Sequence, residues 1–593
     1  MTGETVQRQA DVEEIRLSGL GVAPGVALGS VYVVEPGIAD VPVRPLAAAE
    51  VAAERERFAR AVAKGHAQVE TLRGKLSGMP PSAAEEMGYL LDAHARMLEG
   101  SRLVRGVDRR IAEELLNAEA ALMEELSALS QAFAAMEDAY LAARVQDIRD
   151  VADRLLRNLL DVGYQAFSDL PEGTVILAEE LTPADTALMD PARIAGFATA
   201  LGGVQGHTAI MARSLGLPAV SGIADMIGRV PSGAPVVVDG NAGRLIVYPT
   251  ARTLAHYRAL RGEQAAARRH LARLRDIPAV TRDGARIAMQ ANVELPGEIA
   301  AALGAGAESI GLLRTEFLYM NRDEPPGEDE QYRDLKAIVE GMGGRPVTAR
   351  TLDLGSDKLG RGIGSEIPHS TNPALGVRAI RLSLRVPELL EAQLGAILRA
   401  GAHGPVRILL PLIGSAGEVR RVRAVLDRVV RRLHARRVKI ADPLPPIGAM
   451  IEVPGAALSA DSLARVCDFF SIGSNDLTMY TLAIDRGDDN VAALYDPLHP
   501  AVLRLIQFAI GAAHRAHLPV GVCGEIAGDP HFTPLLIGLG AHELSMAPAS
   551  LPIVKQRVLS LSLGEARRRA TTIMEQSDSG VIAALLDDFN ALA

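Results

Sequence analysis

Residues 447–476 read IGAMIEVPGAALSADSLARVCDFFSIGSND and contain the unit that decides the fold. Two short β-type runs, Ile447–Ile451 and Asp468–Ile472, are separated by a segment that can hold a helix, and polar residues follow each run. Short, largely apolar runs of this kind are typical of buried parallel strands. The stretch therefore predicts a β/α unit with polar residues at the carboxyl ends of its strands.

Comparable runs recur through the C-terminal half of the chain. We identify eight β-type runs after residue 285, at Arg286–Val293, Ser309–Leu313, Val347–Leu352, Arg407–Pro411, Ile447–Ile451, Asp468–Ile472, Pro519–Val522 and Glu543–Met546. Eight alternating β and α units over about 300 residues predict a closed (β/α)₈ TIM barrel.

The ends of these runs carry charged or reactive side chains, and active sites of this fold lie at the carboxyl ends of the strands. Arg314 and Arg350 suit a phosphate or carboxylate, because guanidinium binds either group through two parallel hydrogen bonds. Arg486 is a third candidate for this role. Glu452 and Asp476 are hard oxygen ligands that suit Mg²⁺. This set predicts an active site, although Glu452 alone could equally form a salt bridge inside the barrel.

Cys523 follows the seventh run, in PVGVCGEIAGD. A lone cysteine is usually a small buried apolar residue, and this reading suits Cys467. At a polar barrel rim, Cys523 is better placed as an acid or a nucleophile.

The N-terminal half has a different pattern. Residues 47–165 are rich in Ala, Leu, Glu and Arg at helical spacing and predict a helical bundle. Residues 202–220, GGVQGHTAIMARSLGLPAV, predict a short helix from Thr208 to Leu215 with His207 at its N-terminus. The amide groups there favour an anion, so His207 could hold a phosphoryl group. It could also be an ordinary capping or loop histidine.

The bulk composition limits the class of protein. A length of 593 residues suggests three or four domains. A net charge of −10 argues against nucleic acid and anionic membrane as main partners. Two cysteines fit a reducing compartment, and no apolar run approaches the roughly 20 residues that span a bilayer. We therefore expect a cytoplasmic protein without membrane insertion.

Several long motifs together resemble enzyme I of the bacterial phosphoenolpyruvate-dependent phosphotransferase system, from about Leu17 to the C-terminus. These motifs are GHTAIMARSLGLPAV, IGLLRTEFLYMNRD, RTLDLGSDK, IEVPGAA, FFSIGSNDLTMYTLAIDRG and GVCGEIAGD. The resemblance implies a kinase that takes phosphate from phosphoenolpyruvate onto a histidine and passes it to a histidine-containing phosphocarrier protein. It also implies a homodimer formed through the barrel.

The resemblance also implies roles for single residues. His207 matches the phosphorylated histidine, and Cys523 matches the proton donor that converts enolate to pyruvate. Arg314 and Arg350 match arginines that bind phosphoenolpyruvate, with Asn475, Asp476 and Arg486 as further substrate contacts. Glu452 and Asp476 match the Mg²⁺ ligands. A docking face for the carrier is expected near Gly78–Glu99, with Glu85, Glu86, His94 and Met97; ordinary bundle surface and core is the alternative.

These interpretations divide the chain into parts. Residues 1–16 form a tail, and residues 17–46 with 166–250 form a swivelling phosphohistidine α/β domain. Residues 47–165 form the inserted carrier-binding bundle, residues 251–275 a helical linker, and residues 276–593 the substrate-binding and dimerising barrel.

Three other functions would use parts of the same fold. A dikinase or phosphoenolpyruvate synthase would need an ATP-binding domain, and the sequence shows no nucleotide loop of the P-loop type. An inactive signalling adaptor would not need five such residues together, namely Arg314, Arg350, Glu452, Asp476 and Cys523. A barrel lyase acting on a related keto acid would leave His207 unexplained.

Overall fold

The computed structural model divides the chain into two compact units, Met1–Ala266 and Ala267–Ala593. It describes residues 13–34, 42–75, 91, 94–99, 101–134, 139–161, 167, 170–181, 189–203, 207–319, 324–355, 372–485 and 491–591. The predicted sites at Glu85, Glu86 and Arg486 lie outside these residues, as do Gln205 and Gly206 next to His207.

The first unit contains a mixed eight-stranded sheet in the order β1-β8-β7-β3-β4-β5-β6-β2. Its strands are β1 Ile15–Ser18, β2 Leu20–Ala23, β3 Val26–Val33, β4 Thr174–Ala178, β5 Ile194–Thr199, β6 Ala219–Ser221, β7 Pro235–Asp239 and β8 Arg244–Val247. The stretch LSGLGVAPGVALGSVYVVE, residues 17–35, predicts two strands around a Gly/Pro turn, and the structure has three strands there. The runs Thr174–Ala178, Phe197–Leu201, Val236–Asp239 and Leu245–Tyr248 also predict strands, whereas the three residues of β6 are too few to show a periodicity.

A helical bundle is inserted between β3 and β4, as the sequence predicted. The described helices are α1 Val51–Lys75, α2 Arg102–Glu113, α3 Ala118–Ala134 and α4 Ala139–Leu159. Leu91, Val107, Leu122 and Leu155 are fully buried in its core. Arg57 joins Glu54 at 2.7 Å and Glu119 at 2.5 Å, so a buried ion cluster ties α1 to α3.

Two further helices complete this half of the chain: α5 His207–Leu215 and α6 Ala251–Ala272. The α5 helix begins at His207 itself, one residue before the predicted start. Its Ala209 packs in a core of the sheet, whereas Met211 packs in the core of the bundle. Tyr257 of α6 donates to Asp239 at 3.1 Å and thereby fastens the start of α6 to β7.

The second unit is the predicted barrel, since its eight parallel strands close on one another. They are β9 Ala288–Val293, β10 Ser309–Leu313, β11 Val347–Arg350, β12 Val406–Leu410, β13 Ile447–Ile451, β14 Phe469–Ile472, β15 Val520–Val522 and β16 Glu543–Met546. Every predicted run coincides with a strand, with ends that differ by at most two residues. Strands β10 and β13 are buried along their whole length, as expected for strands covered on both faces.

Helices surround these strands. They are α7 Ile299–Gly304, α8 Glu328–Gly341, α9 Ala379–Arg385, α10 Pro387–Ala400, α11 Ala416–Ala435, α12 Pro454–Leu458, α13 Ala460–Leu463, α14 Ser474–Leu482, α15 Pro500–Arg515, α16 Thr533–Leu539, α17 Leu551–Ser560, α18 Leu563–Met574 and α19 Ser579–Ala591. Among the described helices of the chain, none is both long and apolar enough to cross a membrane.

Candidate active site at the barrel rim

The carboxyl ends of the barrel strands bring together most of the predicted site residues. Arg350 is the last residue of β11, and Arg314, Glu452 and Cys523 each directly follow a strand. Asn475 and Asp476 lie in the first turn of α14, just beyond β14. Because all eight strands are parallel, their carboxyl ends meet at one rim, and residues as far apart in the sequence as Arg314 and Cys523 come to the same rim.

Arg350 is held by two carboxylates. Its guanidinium lies 3.1 Å from Glu316 and 3.2 Å from Asp353. Burial disfavours the charged guanidinium of Arg350, but the charges of Glu316, Asp353 and Glu452 outweigh that effect and raise its pKa. Arg350 therefore stays charged, and the carboxylates of Glu316 and Asp353 orient its planar guanidinium group.

Asp353 also pairs with a second arginine. Asp353 accepts a hydrogen bond from Arg378 at 2.8 Å, so one buried carboxylate lies between two guanidinium groups. In the sequence, Arg378 in NPALGVRAIR is a weaker candidate for binding an anion than Arg314 and Arg350. The more exposed Arg314 pairs with Glu294, which follows β9. Arg314 and Arg350 are thus paired with carboxylates, and an anion would bind them in competition with these partners.

Glu452 is almost completely buried, with 2% of its surface exposed. One oxygen accepts from the backbone amide of Leu412. A Cβ atom on Gly473 would lie 2.8 Å from the other oxygen, so only glycine leaves room for the carboxylate beside α14. Burial and the negative charges of Asp353 and Asp476 raise the pKa of Glu452 to about 8, although Arg350 opposes this shift.

This arrangement fits a divalent cation. Glu452 is buried near other acids whose charge raises its pKa, and a cation would remove that penalty. The neighbouring groups are carboxylates, which are the ligands that Mg²⁺ prefers. Within the described residues, no group of three or more His, Cys, Asp or Glu side chains is arranged to hold a metal. A site with two protein carboxylates, and with substrate and water as the remaining ligands, would be a usual coordination sphere for Mg²⁺.

Cys523 is buried at the same rim, and its thiol lies 3.6 Å from the carbonyl oxygen of Ile472. Burial raises the pKa of Cys523 to about 11; the nearby Glu452 also raises it, while Ser471 and Arg350 lower it. The thiol is therefore protonated at neutral pH. A buried, protonated thiol suits proton donation better than nucleophilic attack, which needs the thiolate.

Comparisons with known proteins agree with these features. Three families match the chain: "PEP-utilising enzyme, N-terminal" over residues 18–144, "PEP-utilising enzyme, mobile domain" over 170–243, and "PEP-utilising enzyme, PEP-binding domain" over 268–563. A phosphoenolpyruvate-protein phosphotransferase of Cupriavidus necator is 43% identical over 92% of this chain and 94% of its own. Proteins of the same name from Bacillus sp. (strain S) and Geobacillus stearothermophilus are each 40% identical over 95% of this chain and 96% of their own.

The chain belongs to the phosphoenolpyruvate-protein phosphotransferase family. The resemblance seen in the sequence motifs is therefore confirmed, and so is the multidomain fold with its barrel. The extent of the match also explains why the rim motifs are so widely separated, since the family's binding domain spans nearly the whole barrel.

Several supporting residues of this phosphotransferase rim were missed in the sequence. Gln393, on the buried face of α10, donates to Thr315 at 3.0 Å and accepts from the amide of Leu352 at 2.8 Å. Thr315 in turn donates to the backbone carbonyl of Arg350 at 2.7 Å. The largely apolar run LLEAQLGAIL contains two polar residues, Glu391 and Gln393, and this was the only available signal for Gln393.

Asn475 is also fixed by a partner that the sequence did not indicate. Its amide group donates to Glu525 at 2.9 Å, and its oxygen accepts from the backbone amide of Glu525 at 2.9 Å. This reciprocal pair ties the first turn of α14 to the residue that follows Cys523 and Gly524. The amide of Asn475 is thereby oriented at the rim of this family member.

The predicted docking residues of the phosphotransferase bundle differ in exposure. His94 is 1% exposed, and no described residue hydrogen-bonds to its ring nitrogens. Burial lowers the pKa of His94 to about 4, with a further contribution from Arg154. A docked protein could not contact His94 in this conformation, so the structure favours the alternative of a core-edge histidine. Met97 is half-buried against the same core and keeps part of its surface open.

Proposed function

We propose that the protein transfers the phosphoryl group of phosphoenolpyruvate to His207 and then to a histidine of a small phosphocarrier protein. The observation that carries the proposal is the rim itself, where an oriented arginine, a buried carboxylate that suits Mg²⁺ and a protonated thiol lie close enough to influence one another electrostatically. A substrate with a phosphate, a carboxylate and an enol carbon that must be protonated uses each of these groups.

In the first step, Arg314 and Arg350 bind the anionic groups of phosphoenolpyruvate. Asn475, Asp476 and Arg486 supply further contacts in this proposal. The nitrogen of His207 remote from the backbone attacks phosphorus, so a nitrogen–phosphorus bond forms as the bond to the enol oxygen breaks. Positioning and charge neutralisation supply most of the rate enhancement in such transfers.

In the second half of the reaction, Cys523 donates its proton to the methylene carbon of the enolate, which gives pyruvate. The thiolate left behind recovers a proton from water. Glu452 and Asp476 would hold Mg²⁺, which when bound neutralises phosphate and enolate charge. The pKa of about 11 keeps the thiol protonated between turnovers.

The phosphoryl group then leaves by a different route. Because the carrier presents its own histidine, His207 must move away from the rim, and we propose a swing about residues 250–276. The carrier docks on the bundle near Gly78–Glu99, where Met97 supplies apolar contact and Glu85 and Glu86 supply negative charge. We propose that this relay operates in the cytoplasm. The protein would then be the first component of a phosphotransferase system for sugar uptake or its regulation.

We also propose a homodimer formed through the barrel unit. Helices of this unit expose large apolar side chains; Leu458 is 67% exposed and Phe508 is 48% exposed. Exposed apolar side chains of this size are the kind of surface that a subunit interface covers. Sedimentation across a range of concentrations, with Leu458→Glu as the test variant, measures this association.

Labelled phosphoenolpyruvate tests the main proposal. The protein is incubated with it and Mg²⁺, and wild type is compared with His207→Ala and with His66→Ala, which changes a half-exposed bundle histidine. Wild type and His66→Ala should carry an acid-labile, base-stable label, and His207→Ala should carry none. A wild-type protein that stays unlabelled would refute the proposal.

A further inference from the structure

Asn292, near the end of β9, reaches the loop that carries Cys523. Its side-chain Nδ2 donates to the backbone carbonyl of Cys523 at 3.1 Å. Strand β16 lies between β15 and β9 in the closed barrel, so this hydrogen bond spans the end of β16. Ser545 of β16 donates from its hydroxyl to Oδ1 of Asn292 at 2.6 Å. One side chain thus ties together the carboxyl ends of three neighbouring strands.

The two contacts define which way the amide of Asn292 points. The carbonyl oxygen of Cys523 can only accept a hydrogen bond, so Nδ2 must face it, and Oδ1 then faces the hydroxyl of Ser545. Ser545 is 2% exposed, and a Cβ atom on Gly311 of β10 would lie 2.5 Å from its hydroxyl oxygen, so only glycine leaves room for this hydroxyl. The pair of Asn292 and Ser545 is therefore a built part of the barrel interior.

The thiol of Cys523 needs support from its backbone, because a thiol is a weak hydrogen-bond donor and a weak acceptor. Its hydrogen bonds to Ser471 and, at 3.6 Å, to the carbonyl oxygen of Ile472 hold Sγ only loosely. The backbone is held more firmly. The amide of Cys523 donates to the same Ile472 carbonyl at 3.0 Å, and its carbonyl accepts from Asn292. The direction of Sγ therefore depends on these backbone contacts.

Gly524, which follows Cys523, makes the contact with Asn292 more important. A Cβ atom on Gly524 would overlap the hydroxyl oxygen of Ser474, so the packing of α14 requires glycine at this position. Glycine allows a wide range of φ, and the peptide plane that carries the Cys523 carbonyl could therefore tilt. The hydrogen bond from Asn292 opposes this tilt and keeps the backbone of Cys523 in one conformation.

We propose that Asn292, oriented by Ser545, is a positioning residue for the proton donor Cys523. This inference rests on the proposed phosphotransfer, in which the thiol protonates the enolate. The S–H bond breaks and leaves a thiolate, and the electron pair of the enolate forms a new C–H bond at the methylene carbon as the carbonyl of pyruvate forms. Asn292 acts through the backbone of Cys523, so it affects this proton transfer and not the earlier attack of His207 on phosphorus.

Separate measurement of the two steps tests this role. Labelling of His207 is followed in a single turnover with labelled phosphoenolpyruvate and Mg²⁺, and pyruvate release is followed continuously through NADH oxidation by added lactate dehydrogenase. Asn292→Ala should label His207 at close to the wild-type rate. It should release pyruvate about 10- to 100-fold more slowly, since displacing a reacting group by about 1 Å has a cost of this size. Ser545→Ala, which removes only the hydroxyl that orients the amide, should slow pyruvate release by about two- to tenfold, the contribution of one hydrogen bond.

Gln290→Ala is the matched control. Gln290 is buried on β9, two residues before Asn292 and on the same face of the strand. Its amide donates to Glu543 at 3.0 Å, and Glu543 keeps its ion pair with Arg407 when Gln290 is removed. This variant loses a buried amide of the same strand without touching the backbone of Cys523, so both steps should keep their wild-type rates.

A double-mutant cycle separates positioning of the thiol from a general structural effect. In a Cys523→Ala background, adding Asn292→Ala should slow pyruvate release by less than about twofold, because the thiol on which Asn292 acts is gone. The same loss as in the presence of the thiol, a wild-type rate of pyruvate release in Asn292→Ala, or an equal loss of His207 labelling would each overturn the inference.

Two further comparisons keep the test decisive. If Asn292→Ala does not fold, the same measurements and the same cycle are made with Ser545→Ala. A wild-type protein that stays unlabelled would refute the proposed function itself, whereas the outcomes above, in a wild type that labels His207, overturn only the role of Asn292.

Discussion

Arg350 and Asp353 form an ion pair of 3.2 Å at the carboxyl end of β11, with only 12% and 5% of their side chains exposed. Glu316 holds the other side of the guanidinium, so removing one carboxylate leaves the charge partly compensated. The pair therefore serves mainly to orient Arg350 for the proposed substrate.

Replacing Asp353 tests this orientation. Asp353→Asn removes the charge that both Arg350 and Arg378 share, and we expect unfolding of the barrel unit to become easier by about 1–3 kcal/mol. The KM for phosphoenolpyruvate should rise at the same time. Asp461→Asn, which breaks an exposed pair with Arg515, is the control and should change stability by less than about 1 kcal/mol. An Asp353→Asn enzyme with unchanged KM would contradict the positioning role.

Cys523 provides a test of proton donation. Cys523→Ala should label His207 within about tenfold of the wild-type rate in a single turnover, since the thiol acts after phosphoryl transfer. Steady-state release of pyruvate should fall by about 10²–10⁴-fold, the usual contribution of a positioned acid. Because the pKa of the thiol is about 11, its donation in wild type should not decline between pH 6 and 9. Equal loss of both rates in the variant would argue for a structural role.

Glu452 links stability to pH in the metal-free protein. The pKa of Glu452 is raised to about 8 in the folded state. The unfolded chain therefore loses this proton at a lower pH than the folded protein. As a result, the free energy of unfolding falls as the pH rises from about 4.5 to 8. Glu452→Gln should remove this decline and stabilise the metal-free protein at pH 8, on the order of 5 kcal/mol. Urea titrations at several pH values, with and without Mg²⁺, measure it. Mg²⁺ should stabilise wild type and leave the variant unchanged.

His94 links the stability of the bundle to pH in the opposite sense. Its pKa is lowered to about 4 in the folded state, so the unfolded chain takes up a proton first as the pH falls below 6.5. The bundle should lose on the order of 3 kcal/mol between pH 6.5 and 4. Hydrogen exchange of bundle amides, corrected for its intrinsic pH dependence, measures the loss. His94→Leu should abolish the dependence, and the half-exposed His66→Leu should preserve it.

Met97 tests the docking proposal. Met97→Asp should slow transfer from phosphorylated protein to the carrier while leaving labelling of His207 by phosphoenolpyruvate intact. Because Met97 also packs against the bundle core, Met97→Gln serves as a milder variant that keeps the length of the side chain. Rapid-quench measurement of both steps separates them. If both variants slow both steps equally, Met97 has no specific part in docking.

The amino-acid sequence was sufficient for the barrel and for the position of Arg350, Glu452 and Cys523 at strand ends. Each strand is a local apolar run, and parallel strands place the residues that follow them at the same rim. The local sequence pattern therefore determined which residues, although far apart in the chain, lie at that rim. Only the tertiary structure showed that Asp353 lies between two arginines, that Gln393 supports Thr315, and that His94 is buried. Such pairings and burial depend on packing between residues far apart in the chain, and desolvation by that packing sets the pKa values of Glu452 and His94.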